Sequence, residues 1–256
     1  TNKIDSLGQE GYKLEVTNKK ITISAYNTAG IFNGSQTLRQ LLPPQIESDL
    51  IVKNKTWEIP AISIVDKPRY DWRGYMQDVS RTFYNPTIIK KYIDVLSLYK
   101  INTLHLHLTY DQGRRIEIKK YPKLTSPQNT VFQEKDKQPS ERSGFYTQEE
   151  IKDIVQYASD RNIKVIPEID IPGHSWPTIL AYPELGVNKK NQPNYVFPFL
   201  ASWGHWGNQF TPNTLDPTSE KVYTFLDDVF GEIATLFPAD YIHFGGDEVR
   251  HSTWDA

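Results

Sequence analysis

The sequence predicts an α/β protein: a small α+β unit over residues 1–66, then, over 67–256, about the first four βα units of a (β/α)8 TIM barrel. Three observations carry this reading. Strand and helix patterns alternate from Pro68 onward, which calls for a parallel sheet covered by helices. Polar residues gather at the C-terminal ends of the strand patterns, where a barrel keeps its chemistry. No glycine-rich phosphate loop follows the first of these strands, which disfavours the alternative of an open doubly wound sheet.

Taken in order, "GYKLEVTNKKITIS" (11–24) alternates apolar and polar residues around Asn18 and reads as a hairpin. "AGIFNGSQTLRQLLP" places Ile31, Phe32, Leu38, Leu41 and Leu42 on a helix stopped by Pro43 and Pro44. Residues 45–66 read as one or two strands, with the boundary near Asp66. "WRGYMQDVS" (72–80) is a strand. A helix over 85–100 follows, with Asn85 as N-cap, Pro86 at its first position and Ile89, Ile93 and Leu96 on one stripe. "INTLHLHLT" (101–109) is the second strand, with leucines on one face and Thr103, His105, His107 and Thr109 on the other. Thr147 and Glu150 form a capping box for a helix over 147–162, and 163–170 is the third strand. A long loop leads to a helix over 216–237, expected to be capped by Asp216 and Pro217. The fourth strand is 241–246.

The 256 residues suffice for a sizeable core. A net charge of -2 gives no reason to expect nucleic acid or an anionic membrane as partner. With no cysteine, disulfides and thiolate chemistry are excluded within this chain. No apolar run is long enough to span a bilayer. The 15 Tyr and 6 Trp suit core packing, and also stacking on flat, partly apolar ligands such as sugar rings.

Four places carry candidate chemistry. Asp247 and Glu248 follow Gly245-Gly246 at the end of the fourth strand; neighbouring residues there face opposite ways, so one would serve a leaving group and the other an adjacent substituent. His105 and His107 share a strand face and offer either interior hydrogen bonds or a metal site. Glu168, Asp170 and His174 close the third strand, where a histidine near an acid orients it. Arg81 follows the first strand and offers a fork for hydroxyls or a carboxylate. Each has an ordinary structural alternative: helix cap, buried histidine pair, surface turn and salt bridge.

Together "DVSRTFYNP", "INTLHLHLTYDQGRRIEIKKYPKLT", "VIPEIDIPGHS" and "IHFGGDEV" resemble glycoside hydrolase family 20, the β-N-acetylhexosaminidases, from about Gly11 to Val249. The segment "AGIFNGSQTLRQLLP" is similar to the small domain that precedes the barrel there. The resemblance implies retaining, substrate-assisted removal of terminal β-linked N-acetylglucosamine or N-acetylgalactosamine, without cofactor or metal. It implies Glu248 as general acid, Asp247 as the residue that orients the acetamido group, Arg81 as a binder of sugar hydroxyls and His174 as support for the acid.

The chain departs from the family at two positions. The family usually reads Asp-Asp-Gln where this chain has Tyr110, Asp111 and Gln112, and the first Asp supports that histidine. Tyr110 therefore predicts a weakened coupling of His174 to Glu248, with the Asp111 side chain expected to point the other way. Arg114 stands where the family tends to have Trp. Trp203 and Trp206, on the long third loop, are expected to stack on the leaving-group side. The missing C-terminal half of the barrel is the expected partner, and the family's habits imply export to a periplasm, cell surface or medium. A carbohydrate-binding remnant and a metal-dependent hydrolase using His105 and His107 are the alternatives.

Overall fold

A computed structural model describes residues 5–53, 56–130, 142–187, 205–206, 209–210 and 213–249. Strands β1 (Tyr12–Val16) and β2 (Ile21–Ala25) form the expected antiparallel hairpin. Helix α1 (Thr28–Leu41) starts where Asn27 accepts from the backbone N–H groups of Ala29 and Gly30. Strand β3 (Ile62–Asp66) pairs with the other edge of β1, giving the order β2-β1-β3. Ile31, Leu38 and Leu41 of α1 pack on Tyr12, Leu14 and Val16. The helix comes this close because a Cβ on Gly34 would lie 2.6 Å from Ile23 Cγ2.

The second sheet is parallel. β4 (Gly74–Asp78), β5 (Thr103–His107) and β8 (Lys164–Glu168) run in that order, with Gly74 opposite Thr103 and Thr103 opposite Lys164. Between them lie α2 (Pro86–Leu98), the short β6 (Thr109–Tyr110) and β7 (Gly113–Arg114), α3 (Pro127–Thr130) and α4 (Gln148–Ser159). After β8 come α5 (Trp176–Ala181), the two-residue strands β9 (His205–Trp206) and β10 (Gln209–Phe210), and α6 (Glu220–Leu236).

The core lies between this sheet and its helices. Leu104, Leu106 and Leu108 are fully buried with Ile89 and Ile93 of α2, Ile151 and Ile154 of α4 and Val229 and Ile233 of α6. Burying each such side chain is worth about 1.5–3 kcal/mol. The leucine face therefore fixes the register, and the alternate residues of β5 must face the barrel interior. No helix among the described residues is long and apolar enough to cross a membrane.

Two expectations are corrected. α6 begins at Glu220 rather than 216: the Asp216 carboxylate accepts from Thr218 N and Thr218 Oγ1, closing a turn, and Ser219 takes the cap position. The expected fourth strand reduces to a single parallel bridge between Glu168 and His243, although Ile169 N and Ile171 N donate to His243 O and Phe244 O. Gly245 and Gly246 turn the chain at φ +67° and +95°, ending the extension at once.

Candidate active site

The C-terminal ends of β5, β8 and the 243–248 segment converge. A Cβ on Gly245 would lie 1.9 Å from Asp170 Oδ1, so only glycine passes there. That same oxygen accepts from Gly246 N at 2.9 Å. Asp170 thus holds the turn that presents Asp247 and Glu248, both exposed, with Glu248 in the left-handed region at φ +51°. Burial first, then the Asp247 carboxylate, push Asp170 up to about 6 against the pull of the Gly246 bond and nearby His174.

Behind Glu248 stands a buried relay. His174 Nε2 lies 3.3 Å from Glu248 Oε2, and His174 Nδ1 lies 2.8 Å from Asp111 Oδ2. Asp111 is wholly buried and also accepts from Asn213 Nδ2 at 2.7 Å and from Trp176 N at 3.3 Å. Burial alone would depress the His174 imidazole; the Asp111 bond and charge outweigh it and raise the imidazole above its ordinary range.

The placement of Asp111 corrects the sequence reading. Alternation ends at Tyr110, the last residue of β6, because Asp111 and Gln112 form the tight turn into β7. In a turn the period of two no longer applies, and Asp111 swings back to His174. Tyr110 joins the same group: its ring stacks on His174 at 3.8 Å between centroids, and its oxygen lies 2.9 Å from His174 Nε2 and 3.4 Å from Glu248 Oε2.

Arg81 is about a third exposed, its Nη1 2.5 Å from Asp78 Oδ2 and its guanidinium 3.8 Å over the Tyr110 ring. The sequence reading missed Arg115, which holds this corner together. Fully buried, it donates to the carbonyls of Ser80, Gln112, Thr130 and Gly144, and burial lowers it to about 10. Gly113 makes room: a Cβ there would sit 2.3 Å from Arg115 Cζ. Arg114, also buried, donates to Thr178 Oγ1 at 3.1 Å. Trp203 and the side chain of Trp206 lie outside the described residues.

A second cluster fills the barrel interior. Glu168 Oε2 is 2.7 Å from both His105 Nε2 and His107 Nδ1, and its Oε1 is 3.4 Å from His243 Nδ1. The two short contacts lack the alignment of good hydrogen bonds. Burial pushes the Glu168 carboxyl up, but the imidazoles outweigh it and hold it well below the usual carboxylate range. Ligand atoms of His105, Glu168 and His243 lie within 4.8 Å of one another, as do those of His107, Glu168 and Asp170. Either set could receive a divalent ion, but direct contact with Glu168 already partners His105 and His107. His243 was not singled out from the sequence; its place two residues before Gly245 was the available signal.

The arrangement suits proton transfer: a carboxyl open to solvent, backed by a buried imidazole that a buried carboxylate orients. Comparison with known proteins gives it a context. The model of Glycosyl hydrolase family 20, catalytic domain, matches residues 70–256, and that of its domain 2 matches 1–67. A β-hexosaminidase of Porphyromonas gingivalis is 41% identical over 251 residues, covering 98% of this chain and 30% of that protein. One of Vibrio furnissii is 39% identical, covering 97% and 39%. The exo β-N-acetylglucosaminidase of Vibrio harveyi, solved with N-acetylglucosamine, superposes with a TM-score of 0.83 at 35% identity, over 99% of this chain and 38% of that one. A Streptomyces plicatus β-hexosaminidase mutant with bound product GlcNAc gives 0.78 at 40% identity, over 93% and 44%. The chain thus spans between about a third and under half the length of these relatives.

Proposed function

The chain belongs to glycosyl hydrolase family 20, and from that premise we propose that it carries the acid and the acetamido-orienting residue of a retaining β-N-acetylhexosaminidase. The observation that carries the proposal is Glu248, exposed beside Asp247 at the end of the Asp111–His174 relay. Glu248 protonates the leaving oxygen of a terminal β-linked N-acetylglucosamine or N-acetylgalactosamine. The acetamido oxygen of the substrate attacks the anomeric carbon from the other face, while Asp247 orients that group and balances its growing positive charge. Glu248, now ionised, takes a proton from the water that opens the cyclic intermediate, which restores the starting configuration. Arg81 receives hydroxyls of the same sugar, and Trp203 and Trp206 stack on the leaving side. Because the chain covers 30% and 39% of two curated relatives, the other walls of the pocket belong to further βα units of the barrel.

The test compares an aryl β-N-acetylglucosaminide with the matching aryl β-glucoside, using the chain alone and joined to the rest of the barrel. Cleavage confined to the N-acetyl sugar is expected. Equal cleavage of both would rule out participation by the acetamido group. Loss of activity in a chelator would point instead to His105 and His107.

A further inference from the structure

We propose that Asp111, and not Tyr110, orients the imidazole of His174, and that Tyr110 is a positioning residue whose ring ties Arg81 to His174. The proposal deepens the reading of Glu248 as the acid and rests on it.

The geometry gives each residue a separate job. Asp111 occupies Nδ1, at 2.8 Å, and is itself pinned by Asn213 and the Trp176 amide. Nδ1 must therefore carry the proton, which leaves Nε2 facing Glu248. Tyr110 cannot serve Nδ1, because its oxygen lies on the Nε2 side. Its ring is gripped on both sides instead. The Arg81 guanidinium lies 3.8 Å from its centroid, and the imidazole stacks at 3.8 Å with an interplanar angle of 14°. Tyr110 is only 2% exposed, so the sandwich has nowhere to slide. The groups that face His174 and Tyr110 are Asp111, Asp170, Glu248, Arg81 and, 5.2 Å from the tyrosine ring, His107. Burial, with the nearby Glu248, Asp111 and Asp170 outweighing Arg81, keeps the phenol protonated far above its usual range, so the ring stays a neutral spacer between the guanidinium and the imidazole.

The experiment follows the His174 imidazole by NMR titration; only six histidines are present and loss of the signal in His174→Gln assigns it. Asp111→Asn is expected to lower the His174 midpoint, since burial then acts without the opposing carboxylate, and to reduce kcat about 10- to 100-fold with KM little changed. Tyr110→Ala is expected to raise KM and lower kcat together, because both Arg81 and the imidazole lose their support, and to remove the upfield ring-current shift of the His174 carbon-bound protons. Tyr110→Phe keeps the ring and is expected to keep both parameters within about threefold, at the low end of one hydrogen bond's worth. An unchanged His174 midpoint in Asp111→Asn would overturn the first half. Tyr110→Phe as damaging as Tyr110→Ala would overturn the second, placing the role in the hydroxyl. The NMR readouts need no turnover, so failure of the chain joined to the rest of the barrel to cleave the N-acetyl sugar would count against the hexosaminidase reading and leave the imidazole test standing.

Discussion

Two clusters of histidine and carboxylate sit at the ends of the same strands, and they are built in opposite ways. Around Glu168 the imidazoles of His105, His107 and His243 surround a single carboxylate that is 3% exposed. Around Glu248 the partners stand in line: a buried carboxylate, a buried imidazole, then an acid whose side chain is 37% exposed. Enclosure leaves Glu168 no side open to solvent, whereas the line of partners ends on a Glu248 that solvent reaches. The difference teaches that proximity of acid and histidine is not itself a catalytic signature, and that the exposure of the terminal group decides.

The comparison can be broken most forcefully at its open end. Glu248→Gln is expected to cut hydrolysis of an aryl N-acetylglucosaminide by about 10²- to 10⁴-fold, the usual worth of a positioned proton donor, while leaving the melting curve near that of the parent. A variant that stays active, or one that unfolds, would erase the contrast.

At the enclosed end, Glu168→Gln should act on stability instead, at about 3 kcal/mol by urea unfolding, because it breaks a buried charge pair. The pH dependence has a definite sign. Glu168 is depressed in the fold, so its contribution is present above the unfolded carboxyl value of about 4.3 and fades as pH falls. His107 is raised in the fold by Glu168 despite burial, so its contribution fades as pH climbs through its folded value. The gap between the variant and the parent should therefore be widest in the window between them.

Asp170 stands between the two clusters and sharpens their boundary. Its carboxyl, at about 6, lies above the unfolded value of about 3.9, so its contribution is present below the latter and lost as pH rises through 6. Asp170→Asn is thus expected to be more stable than the parent at pH 8 by at most about 3 kcal/mol, with the advantage gone near pH 4. A melting-temperature series across that range measures it; a gap that does not change with pH would place the cost elsewhere.

How much of this was legible beforehand depended on how local the cause was. Asn27, Asn85 and the Thr147–Glu150 box cap their helices through bonds spanning two or three residues, and pattern alone found the last two. The leucine alternation of β5 was equally readable, because burial of Leu104, Leu106 and Leu108 leaves the register no choice. Asp111 was misread because a strand rule was carried one residue too far, into the turn before Gly113. Arg115 was missed because its partners are backbone carbonyls of four separate positions, which no residue type announces.

The sequence by itself determined the alternating α/β plan and the motifs of the family, and it singled out Asp247, Glu248, His174 and Arg81 as candidates. These follow from local periodicity and from residue types adjacent in the chain. Only the tertiary structure decided which acid holds His174, that Glu168 gathers three histidines, and that Asp170 forces glycine at position 245. Those outcomes turn on distances between residues up to 76 positions apart, such as Asp170 and Gly246. Packing of the sheet against its helices sets such distances, and residue spacing along the chain does not.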